Sequence, residues 1–279
     1  GRPFQFPDHP EWGVTYWDLV VNPIRDADGN VDVLVVSLND VTHRTETERR
    51  IAVTNALLKQ FAGKFDRKEY LDAAVDLICE WSGCRNVGIR IRDEKGNIPF
   101  RSCRGFSDEF LASESALSVA VDRCTCTRVI TAEPELQELP AMTKSGSFAT
   151  NDLGRYMEDM TPEQRTSFRG VCAKCGFASL AVIPVKHQDQ LLGVIHLADD
   201  RAGMVPLKNV EFIEQLAFII GEAVYRFDIE DDLEDDGTLT APTAWVFGNE
   251  AWGLPEATRD LCDQVVRVPI HGGAESLNL

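Results

Sequence analysis

Two almost continuously apolar runs, residues 179–185 and 191–198, flank a polar stretch at 186–190. Strand-length apolar runs joined by a short polar turn predict a β-hairpin. The absence of alternation predicts strands covered on both faces, hence central in a sheet. Pro184 has no N–H to give to a ladder and should sit near a strand end or a bulge. Upstream, residues 86–91 and 98–103 read as paired strands around a turn at 93–97. Helical spacing takes over at 66–81, where Tyr70, Leu71, Ala74, Val75, Leu77, Ile78 and Trp81 make a wide apolar face that ends at Ser82-Gly83. A second long helix is expected over 205–226, lying back across the sheet. Residues 105–140 are mixed, and 141–167 are polar and loop-like with short helices expected.

The N-terminal part follows a different pattern. Residues 14–21 and 31–38 are rich in β-branched and aromatic side chains around a turn at 26–30, which predicts a β-ribbon. From 44 to 65, Ile51, Leu58, Phe61 and Phe65 fall at spacings of seven, three and four. This narrow seam predicts a helix that either joins two chains as a parallel homodimer or packs on the next domain.

Composition narrows the function classes. A chain of 279 residues, 44% hydrophobic, can bury a sizeable core in one large domain or two small ones. It has no apolar run long enough for a membrane span, and its N-terminal residues show no charged region followed by an apolar one, as a signal peptide would. The net charge of −17, with an acidic run at 228–236, disfavours non-specific nucleic-acid binding. Eight cysteines without an export signal point to a reducing, cytoplasmic compartment.

Among these cysteines, Cys124 and Cys126 form a Cys-x-Cys, and Cys172 and Cys175 a Cys-x-x-Cys. Four thiolates can close a tetrahedral zinc site or hold an iron–sulfur cluster if the pairs meet in space. A reversible thiol switch and inert structural thiols are the alternatives. Cys79, Cys84, Cys103 and Cys262 read as small buried hydrophobes. His187 is expected to be exposed in the hairpin turn. His196, inside a buried strand, reads as a hydrogen-bonded core histidine, with a haem or metal role as the alternative. His43 lacks the surroundings of a kinase phospho-acceptor, and no P-loop or dinucleotide fingerprint is present.

Tyr16-Trp17-Asp18, Pro23 to Asp26 with Asp28-Gly29, and Asp40-Val41-Thr42 together resemble the closing strands of a PAS sensor domain, in which Asp-x-Thr leads into a signalling helix. The next segment, a helix, hairpin, long insertion, hairpin and helix, resembles the GAF fold. That likeness is carried by Gly146-Ser147-Phe148-Ala149-Thr150-Asn151, Cys172, Gly176-Phe177-Ala178-Ser179, Ile183-Pro184 and Leu192-Gly193. The resemblance does not fix a ligand, since members of that family bind cyclic nucleotides, tetrapyrroles, haem, metal clusters or nothing.

A third resemblance lies at the C-terminus. Residues 242–255 and 266–279 are similar to the last two motifs of SpoU/TrmH-type (SPOUT) RNA ribose 2′-O-methyltransferases. In physical terms, buried strands there end in glycine turns that admit a small cofactor's backbone. The resemblance implies that Gly248, Val268 and Leu277 contact S-adenosylmethionine, with Glu250, Ser276 and Asn278 supporting the site. The family's first motif, with its Asn and catalytic Arg, has no counterpart upstream.

The expected architecture is α+β. It comprises the end of a PAS domain (1–43), a linker helix (44–65), a GAF domain with a central antiparallel sheet and flanking helices (66–227), an acidic linker (228–240) and an incomplete α/β SPOUT-like fragment (241–279). The expected function is a cytoplasmic sensory module that binds a small ligand, metal or redox signal and passes it through flanking helices. Its downstream signalling domain would lie outside this chain. The alternative is an S-adenosylmethionine-dependent RNA methyltransferase, the one reading that would bring RNA as a partner.

Overall fold

The computed structural model describes residues 1–9, 13–63, 66–115, 117–235 and 256–259. The predicted hairpin is the middle of a five-stranded sheet. Its strands β7 (Ser179–His187) and β8 (Gln190–Asp199) lie inside the order β5-β4-β8-β7-β6, where β4 is Asn86–Ile91, β5 Phe100–Arg104 and β6 Phe148–Thr150. Every pairing in this sheet is antiparallel. Pro184 pairs with Val194, past the last β6 partner Val182 and beside a register shift at Val185/Lys186, so its missing N–H breaks no bond to β6.

The hairpin turn is tighter than the polar stretch implied. Lys186 pairs with Leu191 and His187 with Gln190, which leaves Gln188 and Asp189 as the turn, Gln188 at φ 50°. His187 is therefore a strand residue and is buried, not exposed as expected. Its Nδ1 lies 2.9 Å from a Glu222 carboxylate oxygen, and its ring stacks on Tyr225 at 3.8 Å.

Two helices bracket one face of the sheet. α2 (Arg67–Ser82) starts where the Asp66 side chain accepts from the Glu69 N–H and stops at Gly83, in the left-handed region at φ 69°. α8 (Leu207–Asp235) runs further than its predicted end and carries the helix into the acidic residues that were expected to form a linker. A side chain at Gly221 would put its Cβ 2.1 Å from the Lys186 carbonyl oxygen, so glycine lets α8 lie directly on β7. Asn151 joins β6 to the start of α8 in both directions: its Nδ2 donates to Val205 O and its Oδ1 accepts from Val205 N.

Because strand side chains alternate, the sheet divides two cores. Ile89, Ala181, Ile183, Ile195 and Leu197 face α2 and α8, whereas Leu180, Val182, Val194 and Ala198 face the connection between β5 and β7. That connection holds the short helices α3 (Asp108–Glu114), α4 (Thr125–Thr131), α5 (Leu153–Glu158), α6 (Pro162–Ser167) and α7 (Val171–Lys174).

The N-terminal ribbon has three strands, not two: β1 (Arg2–Gln5) adds to β2 (Val14–Arg25) and β3 (Val31–Asp40). It exposes Leu19, Val20, Val33 and Leu34 among other apolar residues. The Asp40 carboxylate accepts from the Thr42 N–H, and the Thr42 hydroxyl accepts from the Tyr16 N–H, so the ribbon feeds directly into α1 (Thr42–Gly63). The predicted seam on α1 is split. Phe61 packs on the helix-side core, Ile51 and Leu58 are exposed, and Phe65 lies outside the described residues. The buried residue of α1 is Leu57, off the seam.

The chain divides into two compact units, residues 1–228 and 229–279. In the second, the description covers the end of α8 and α9 (Glu256–Arg259). Among the described residues no helix is long and apolar enough to cross a membrane.

Candidate functional site

The face of the sheet turned toward the β5–β7 connection carries polar groups that its apolar surroundings leave unsatisfied. The arrangement begins at Gly88 on β4, where a Cβ would fall 2.5 Å from Cε1 of Phe100. Glycine there lets the Phe100 ring lie over the strand. Arg90, two residues on and on the same face, sets its guanidinium carbon 3.6 Å from the Phe100 ring centroid. Arg90 is 0% exposed. Its Nη1 donates to the Ile98 carbonyl at 2.9 Å and to the Glu114 carbonyl at 2.7 Å, while Nε and Nη2 have no partner among the described residues.

His196, opposite Gly88 on β8, sits in the same apolar nest. Its ring centroid lies 6.0 Å from Phe100 and 5.3 Å from Phe106, and Phe110 and Phe177 complete the aromatic wall. Nδ1 has no partner among the described residues and Nε2 lies 3.8 Å from Cys172 Sγ. Burial, reinforced by the Arg90 charge, pushes the imidazole pKa down to about 3, so His196 is neutral at physiological pH.

The thiols gather beside this nest. Cys124, Cys126 and Cys172 line one slot with Glu114, Phe168 and Arg169, against Leu180 and Val182 of the sheet. Its free volume is ≈ 10 Å³, the room of about one water molecule. Cys124 caps α4, and the Cys126 thiol hydrogen-bonds to it, which holds the Cys124 thiol below its ordinary pKa and pushes Cys126 well above. Burial raises Cys172 well above the usual thiol range. Arg169 closes the rim, donating to Glu114 Oε1 at 3.0 Å and to Asp122 Oδ1 at 2.8 Å. Deeper in the connection, Arg128 and Glu138 form a two-pronged buried pair at 2.6 and 2.8 Å, with the Thr125 hydroxyl donating to the same carboxylate.

Of the four cysteines proposed as a metal set, the structure brings Cys124, Cys126 and Cys172 together and leaves Cys175 exposed. Among the described residues no group of three or more His, Cys, Asp or Glu side chains is arranged to hold a metal ion. The expected S-adenosylmethionine contacts Gly248, Val268 and Leu277, and the supporting Glu250, Ser276 and Asn278, lie outside the described residues. Arg90 and Glu114 were missed by motif reading. The signal for Arg90 was present, as the one charge inside the apolar run at residues 87–91.

The GAF domain model matches residues 66–224, and the SpoU rRNA Methylase family model matches 171–279. The chain is 44% identical over 69 residues to the 23S rRNA (guanosine-2′-O-)-methyltransferase RlmB of Nitrosomonas europaea, covering 25% of each protein. It is 35% identical over 68 residues to the tRNA (guanosine(18)-2′-O)-methyltransferase of Thermus thermophilus, covering 24% of this chain and 34% of that one. The chain thus spans about a quarter to a third of the length of these curated relatives. Among solved structures, the GAF domain of the Acinetobacter phosphoenolpyruvate-protein phosphotransferase aligns at TM-score 0.48 and 10% identity, over 66% of this chain and 97% of that one. The chain belongs to the GAF domain family, and its C-terminal end is similar to SpoU methylases.

Proposed function

We propose that this protein is a sensory module whose GAF domain binds a small ligand between the sheet and the β5–β7 connection, against Arg90 and His196. The observation that carries this reading is the set of unpartnered polar atoms there: Nε and Nη2 of Arg90 and Nδ1 of His196. A buried donor left unpaired costs about 1–3 kcal/mol, more when charged. A ligand that supplies acceptors at this place recovers that free energy, which selects for binding there and not elsewhere on the sheet.

The route outward is short. β8 presents His196 to the ligand side, while its neighbours Ile195 and Leu197 pack in the helix-side core with α2 and α8. α1 is tied to the start of α8 by Lys208 Nζ to Glu46 at 2.9 Å and Arg50 Nη2 to the Lys208 carbonyl at 3.2 Å, and further along by Arg226 Nη1 to the Phe61 carbonyl at 2.8 Å. A shift of β4 and β8 on ligand binding would therefore reach both helices. In this reading the ribbon at 1–43 is PAS-derived, α1 and α8 are the output, and the protein works in the cytoplasm.

Hydrogen exchange on the full chain, with and without hits from a metabolite thermal-shift screen, tests it. The expected result is slowed exchange in residues 108–114 and 125–131, lost in Phe106→Ala. Hits that protect only other regions, or that ignore Phe106→Ala, would sink the reading.

A second reading rests on the SpoU match over residues 171–279. In it, the C-terminal region holds S-adenosylmethionine through Gly248, Val268 and Leu277, with Glu250, Ser276 and Asn278 beside it. Titration calorimetry of S-adenosylmethionine on the full chain should give saturable binding that Gly248→Val removes. A flat titration would end this reading.

A further inference from the structure

Resting on the ligand site proposed above, we infer that its ligand is a compact monocarboxylate gripped by Arg90. The guanidinium is committed along one side only: Nη1 serves the two carbonyls of Ile98 and Glu114, which fixes the plane of the group. The unpartnered nitrogens, Nε and Nη2, are the pair that forms a single two-donor edge. That edge matches the two oxygens of a carboxylate, each taking one N–H in parallel.

Among the described residues no carboxylate takes this edge. Glu114, the acid whose backbone already serves Arg90, turns its side chain to Arg169 and Ser113. Phe100 lies against the guanidinium, and Phe106, Phe110 and Phe177 surround His196, so the ligand's remaining atoms meet carbon. This wall favours an apolar body over a sugar or a polyamine. Charge sets a further limit. One arginine answers one negative charge, and the buried Glu114 stands nearby, so a dianion such as a phosphate monoester is poorly matched. His196 stays neutral and offers Nδ1 as one extra hydrogen-bonding group. The slot beside the nest holds about one water, so binding must part the aromatic wall from the sheet and should favour small acids.

The test uses matched pairs on the full chain: formate, acetate and benzoate against formamide, acetamide and benzamide, at equal ionic strength, by thermal shift and calorimetry. At least one acid should raise Tm at millimolar concentration, with its amide weaker by about tenfold or more, because the amide replaces one acceptor by a donor and carries no charge. Arg90→Met should remove the response to the acid. Should Arg90→Met not fold, wild-type protein with ¹³C-carboxyl-labelled acid supplies the second readout, a saturable shift of the carboxyl resonance. Amides that bind as well as acids, with both lost in Phe106→Ala, would overturn the carboxylate and leave the site standing. No response to any of the three acids would overturn the carboxylate outright. Loss of the exchange protection at 108–114 and 125–131 for every screened hit would remove the site itself.

Discussion

Cys172 Sγ and His196 Nε2 lie 3.8 Å apart in the part of the core where burial keeps both side chains neutral. Thiol and imidazole so close would form a reactive ion pair in an open cleft. Here desolvation opposes charge on either group, and Arg90 opposes it further on the imidazole. The contact therefore marks a dry, closed part of the core.

Stability should depend on pH through His196. Its folded pKa of about 3 lies below the unfolded value of about 6.5, so between these limits the unfolded chain takes up a proton that the folded chain refuses. Stability must therefore fall as pH drops through that window, by about 1.4 kcal/mol per unit from this group alone. Urea unfolding at several pH values should show a steeper acid loss in wild type than in His196→Gln. Parallel pH profiles would contradict the assignment of a buried neutral imidazole.

Thiol reactivity should separate neighbours in sequence. Cys124 and Cys126 fall in one tryptic peptide, residues 124–128, so limited alkylation and mass spectrometry read them side by side. Cys124 should be modified first at neutral pH, and Cys126→Ala should slow it by removing the hydrogen bond that favours its thiolate. Equal rates would remove the distinction. Elemental analysis of the same sample should find no stoichiometric zinc or iron. One metal per chain that disappears in Cys175→Ser would restore the four-cysteine site.

Glu138 is 1% exposed and meets Arg128 in two short bonds, with the Glu135 N–H and the Thr125 hydroxyl as further donors. Glu138→Ala leaves those donors facing apolar surroundings, and should destabilise the protein by roughly 3–5 kcal/mol. Chemical denaturation measures the loss. A change under about 1 kcal/mol would mean that water reaches Arg128.

The Tyr70 hydroxyl is the opposite case. The side chain is 0% exposed and its oxygen has no hydrogen-bond partner among the described residues. Tyr70→Phe removes a buried polar atom that makes no bond, and should leave stability unchanged or raise it by about 1 kcal/mol. A clear loss in the unfolding midpoint would reveal a partner for that hydroxyl.

Much of the fold could be read from local pattern. The apolar runs around Pro184 located the central hairpin, and the β4 strand began and ended at the predicted residues. Asp66 and Gly83 marked the ends of α2, because capping depends on neighbours in the chain. The strand β1 escaped, since four residues without alternation carry little signal. The exposure expected for His187 failed because Glu222 and Tyr225, more than thirty residues later, close over the hairpin end.

The amino-acid sequence by itself determined the α+β class, the GAF-type order of elements and the two closely spaced cysteine pairs, since periodicity, capping and spacing are short-range properties of a chain. Only the tertiary structure decided which groups meet. Cys172 reaches the slot of Cys124 and Cys126 across nearly fifty residues, while Cys175, three residues on, stays outside. Arg90 lies in the strand expected at 86–91, yet its unpaired edge exists only because Ile98 and Glu114 claim Nη1 and no described residue claims the rest. Whether a buried charge is satisfied depends on atoms brought together from distant parts of the chain, and packing in three dimensions alone sets that.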